Sequence, residues 1–143
     1  MDCRIFIKLP VRNVVASSAF YAALGAEWDE RLSNGKSALM RFTEDFALVL
    51  IQRDAVARSA PPETADGRRH SQMLLRLSCA DRAAVDRLAR IAGWAGGRAN
   101  PHPIEDFDLL YGRRFEDPDG HVWEAVWMND AAAMAPRERM QAA

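Results

Sequence analysis

The chain repeats its own plan once, and that repetition limits its folds more than any other feature. Laid over its second half with Leu9 on Leu77, it also places Ala16 on Ala84 and Gly25 on Gly93. The same offset sets one helix cap on another (Asn13, Asp81), Phe20 on Leu88, Phe6 on Leu74 and Lys8 on Arg76. Each half reads β-α-β-β-β. A sheet with one helix hides only one face, so two such units must share what the other face covers. The expectation is an α+β fold of two tandem βαβββ modules, their curved mixed sheet wrapped around a cavity.

The local signals are consistent with this plan. Residues 3–9 alternate, with Ile5, Ile7 and Leu9 opposite Arg4, Phe6 and Lys8, as in a strand. Asn13 caps a helix to about Leu24 with the stripe Ala16, Phe20, Ala23/Leu24, and Gly25 suits a left-handed stop. Strands follow at 27–32, 37–42 and 46–52. In the second half a strand at 72–79 leads to the Asp81 cap and a helix over 82–92. That helix has the stripe Ala84, Val85, Leu88, Ile91 and a stop at Gly93, and strands come at 98–100, 109–115 and 121–128. The modules thus span about 3–52 and 72–128 of a single domain, 1–128, with a polar connector at 53–71 that opens on a short helix. The Ala-rich tail, 129–143, reads as a weak helix.

Composition narrows the function classes. Of 143 residues, 49% are hydrophobic and 27% charged, with net charge -1, so no global field draws the chain to nucleic acid or an anionic membrane. No apolar run reaches the ~18 residues of a membrane span, and the opening MDCRIFIKLPV is unlike a secretory signal. Cys3 and Cys79 have no metal-ligand spacing, and a reduced pair in a soluble cytoplasmic protein is expected. Glycine-rich phosphate loops, nucleophile elbows and paired-cysteine motifs are missing from the sequence.

Two segments carry a family resemblance. LPVRNVVASSAFYAALGAEW (9–28) resembles the first strand and helix of the vicinal oxygen chelate superfamily of glyoxalases, extradiol dioxygenases and bleomycin-resistance proteins. FEDPDGHVWEAVWM (115–128) is similar to its last hairpin. Independently of the family, Asp117-Pro118-Asp119-Gly120 is a strong type I turn, and Glu124 is a carboxylate between two valines on one strand face. The resemblance implies a homodimer and a divalent metal (Zn, Ni, Mn or Fe) on three or four side chains. It maps the last ligand onto Glu124, but the others onto Phe6, Leu74, and Leu48 or Leu50, which cannot ligate. Glu124 serves a metal only if a site is rebuilt, for instance with His70. His121 falls on the opposite face of a straight strand, and His102 lies between prolines.

If Phe6, Leu74 and Glu124 face the cavity, Lys8 and Arg76 do too, two residues farther along. Two cations and a carboxylate among apolar walls suit a small amphipathic molecule with an anionic end. The alternative is that Lys8 and Arg76 pair with acids or reach solvent at the strand ends, and Glu124 is simply neutralised by one of them. Tyr111 and Arg113 share a strand face and either border the same cavity or form a surface strand. Trp94, Trp123 and Trp127 are expected to pack sheet against helix. The resulting expectation is a small-molecule-binding protein with an incomplete metal site and no cofactor. Its alternative is a metal-dependent or acid–base lyase, isomerase or dioxygenase-like enzyme using Glu124 as the catalytic group.

Overall fold

A computed structural model describes residues 2–57 and 73–129. His70, most of the connector and the expected tail helix lie outside those residues. The first module runs β1 (Ile5–Val11), α1 (Val14–Ala23), β2 (Glu27–Asn34), β3 (Ser37–Arg41) and β4 (Phe46–Gln52), followed by α2 (Arg53–Ala57). The second runs β5 (Leu74–Ser78), α3 (Arg82–Trp94), β6 (Arg98–Ala99), β7 (Glu105–Phe107), β8 (Leu110–Glu116) and β9 (Val122–Met128). They form two mixed sheets, ordered β1-β4-β3-β2 and β5-β9-β8-β6, with β7 added on β8. In each, the first strand runs parallel to the last and all other pairs are antiparallel.

Capping starts both long helices where the sequence places it. The Asn13 carboxamide oxygen accepts from Ala16 N at 2.9 Å, and the Asp81 carboxylate from Ala84 N at 2.7 Å. Each such cap is worth ~1 kcal/mol. Gly25 ends the first helix at φ +110°. The second helix corrects the sequence reading: it continues through Gly93 to Trp94, and the left-handed glycine is Gly96 at φ +106°. A glycine inside a helix costs only ~1 kcal/mol, so packing carries the helix past it.

One core joins both modules. Phe20 and Tyr21 of α1 pack on Phe115 and Trp123 of the second sheet, where the Phe115 and Trp123 rings stack 6.2 Å apart. The buried stripe of α1 is Val14, Ser17, Phe20 and Tyr21, rather than the expected one built on Ala16 and Ala23, which are exposed. On α3 it is Val85, Ala89 and Ala92, while Leu88 and Ile91 are half-buried. Truncating a fully enclosed aromatic such as Trp123 costs ~3–5 kcal/mol. Trp94, by contrast, is 78% exposed and packs no sheet against a helix.

Candidate functional site

Strand register assembles the site around Glu124. Parallel pairing sets Arg76 of β5 beside Glu124, and the β8–β9 hairpin sets Arg114 on its other side. Residues opposite one another in register share a face. Arg76 Nε donates to Glu124 Oε1 at 2.7 Å, and an Arg114 guanidinium nitrogen donates to Oε2 at 3.0 Å. Glu124 is buried, its side chain 6% exposed, with both carboxylate oxygens engaged. Burial pushes its pKa up, but the hydrogen bonds from Arg114 and Arg76 outweigh that and leave it below the ordinary value. Glu124 is therefore an ionised, doubly clamped carboxylate, the reverse of a general base poised near neutrality.

Arg76 reaches one strand farther. Its terminal nitrogen also donates to Glu105 Oε1 on β7 at 3.0 Å. Gly112 lies between, opposite Glu105 on one side and Val126 on the other, and carries no side chain on the floor that Arg76 crosses. A Cβ there would come 3.1 Å from Val126 Cγ1. Two polar atoms of this cluster, Glu105 Oε2 and Arg114 Nε, are buried without a hydrogen-bond partner among the described residues. Each such atom costs ~1–3 kcal/mol.

The other residues singled out from sequence divide between two faces. Phe6 and Lys8 lie on the face of β1 turned away from α1, and Leu74 on the corresponding face of β5 with Arg76; Phe6 is 50% and Leu74 56% exposed. Tyr111 and Arg113 do not join them. They pair with Trp127 and Ala125 on the helix-covered face, where the Tyr111 hydroxyl donates to Asp86 of α3 and Arg113 donates to Asp86 and the Asn100 carbonyl. Arg82 lies over the Tyr111 and Trp127 rings from the same side. Leu48 and Leu50 are also helix-facing, fully buried beside Ile7 and Leu9; Ala47 and Val49 occupy the other face. Sequence reasoning missed Arg114 and Glu105. Counting back from the Asp117–Gly120 turn sets Arg114, not Arg113, opposite Glu124.

The turn itself is a joint between modules. Asp119 accepts from Arg12 N at 2.9 Å and from the Ser17 hydroxyl at 3.2 Å. Asp117 accepts from the Tyr21 hydroxyl at 2.6 Å and from the amides of Asp119 and His121. Trp123 Nε1 donates in turn to the Tyr21 oxygen at 3.1 Å. Burial pushes the pKa values of Asp117 and Tyr21 up. His121 Nε2 donates to the Pro10 carbonyl at 2.8 Å, which commits that imidazole to the joint rather than to Glu124. His102 is exposed on the loop before β7.

These residues do not fit a divalent metal. Among the described residues no three His, Cys, Asp or Glu side chains are placed to hold a metal ion. Glu124 has two guanidinium groups where a cation would sit, and the repeat-related positions Phe6 and Leu74 offer no donor.

Comparison with known proteins agrees with the fold. Residues 5–125 match the model of the Glyoxalase/Bleomycin resistance protein/Dioxygenase superfamily. The chain belongs to that superfamily. Among solved structures it is similar to a glyoxalase/bleomycin resistance protein/dioxygenase family enzyme from Burkholderia phytofirmans PsJN, at TM-score 0.72 and 22% identity over 86% of this chain and 96% of that one. A glyoxalase-related enzyme from Fulvimarina pelagi superposes at TM-score 0.73 with 20% identity, over 89% and 88% of the two chains. Lactoylglutathione lyase from Agrobacterium tumefaciens superposes at 0.63 with 19% identity, over 89% and 94%. No curated protein matches the chain. Among the described residues no helix is long and apolar enough to cross a membrane.

Proposed function

We propose that this protein binds a small amphipathic organic anion, without a metal, on the sheet face that carries Arg76 and Arg114. The observation behind this reading is the clamp on Glu124: the carboxylate at the superfamily's metal position holds two arginines in place. Both arginine side chains stay partly open to solvent, at 44% and 40% exposure. Arginine's planar donor fork suits carboxylates, and the exposed Leu74, Phe107 and Met128 on the same face provide apolar contact. Lys8 and Phe6 present a similar pairing of charge and apolar surface on the first sheet. The same reading has these open faces covered in a homodimer, which sedimentation velocity tests.

The test of binding is calorimetric titration with 2-naphthoate and with its neutral counterpart, 2-naphthylmethanol. The carboxylate should bind the wild type and lose roughly tenfold in affinity in Arg76→Met or Arg114→Met, about the worth of one charge-assisted contact. The neutral compound should bind all three proteins alike. Carboxylate binding that ignores both substitutions, or no binding at all, rules this reading out.

A further inference from the structure

We propose that Glu105 is a built-in occupant of this anion site, which an incoming organic carboxylate displaces from Arg76; the inference rests on the anion-binding reading above. Arg76 holds two carboxylates, and they are held unequally. Glu124 lies on the inner strand β9, its side chain is 6% exposed, and both its oxygens are engaged by arginines. Glu105 lies on the three-residue strand β7 at the margin of the sheet, its side chain is 29% exposed, and only Oε1 is engaged. Its other oxygen is buried without a partner among the described residues. Of the two, Glu105 gives up less by leaving.

A carboxylate suits its place, accepting from the same arginine nitrogen in the geometry that Glu105 already uses. Arg114, on the same face and with its side chain 40% exposed, adds a second guanidinium beside that position. The body of the ligand is constrained as well. Phe107 follows Glu105 on the same face, and the pairs Phe107–Leu110 and Leu110–Met128 continue it as an apolar strip. Phe107 and Met128 are 51% and 48% exposed. A flat, apolar acid with its carboxylate at the Glu105 position and its ring on this strip fits these features. The native Glu105 competes with the ligand, so it sets affinity and screens out acids too small to gain from the strip.

The experiment titrates 2-naphthoate and acetate into the wild type, Glu105→Gln, Glu105→Ala and Glu116→Gln. Glu116 is a carboxylate on the same face of β8 that makes no contact with Arg76, so it reports the general effect of removing a negative charge. Both Glu105 variants should bind naphthoate roughly tenfold tighter than wild type, while Glu116→Gln changes affinity by less than about threefold. Acetate, which lacks the contact with the strip, should bind far more weakly than naphthoate in every one of these proteins. Unchanged or weaker naphthoate binding in the Glu105 variants overturns the proposal, as does an equal gain in Glu116→Gln. If wild-type binding still depends on Arg76 in that case, the anion-binding reading stands and only the role of Glu105 falls. If no variant binds naphthoate, both fall together.

Discussion

Replacing Glu124 with Gln removes the negative charge from the centre of the site while keeping its shape. Two charge-assisted hydrogen bonds weaken, each of a kind worth ~1.5–3 kcal/mol when well buried. Arg76 and Arg114 are both partly solvated, however, and can rehydrate, which pulls each contribution toward the ~0–1 kcal/mol of an exposed pair. The net loss at neutral pH should be about 1–2 kcal/mol, or roughly 3–8 °C in melting temperature for a chain of this size. Urea unfolding from about pH 8 down to pH 3 gives the comparison. Because the folded pKa of Glu124 is depressed below its ordinary 4.5, its stabilisation is fully present above the unfolded value and is lost as pH falls through the folded one. The two stability curves should therefore converge only in acid. A variant as stable as wild type at neutral pH, or a difference that persists unchanged through the acid range, refutes the clamp.

Two further substitutions probe the joint between modules. Tyr21→Phe removes the hydroxyl that donates to Asp117 Oδ2 and accepts from the Trp123 indole N–H, both buried, and should cost about 2–3 kcal/mol near neutral pH. The cost should shrink in acid, where Asp117, its pKa already raised by burial, is protonated and no longer needs the donor; denaturant unfolding at the two pH values reads both effects. Gly97→Ala would bring a Cβ to 2.2 Å from the Glu116 carbonyl oxygen and 2.7 Å from Phe20 Cε2. Because the nearest obstacle is backbone, urea unfolding should show a loss of about 3 kcal/mol or more.

Much of the fold could be read from the sequence because its signals are local. Asn13 and Asp81 cap helices through contacts three residues away, and alternation along β1 reports which of its faces is buried. The site was harder because it depends on pairing between strands. On β8 a one-residue error in parity exchanges Arg113 for Arg114 and moves the expected site from the open face to the face under α3. Leu48 and Leu50, onto which the family resemblance maps a ligand, lie instead in the core. Glu105 gave no periodic signal, since a three-residue strand is too short to show one. The Arg76–Glu124 pair did follow from sequence, through its weighed alternative that one of Lys8 and Arg76 neutralises the carboxylate.

The decisive measurement is the metal content of tag-free protein by mass spectrometry, followed by melting curves with Zn, Ni, Mn and Fe. A carboxylate held by Arg76 and Arg114 predicts no stoichiometric metal and no specific melting shift with any of the four. Stoichiometric metal, or a shift of several degrees that vanishes in Glu124→Ala, would show that Glu124 exchanges its arginines for a cation, and would contradict a metal-free anion site.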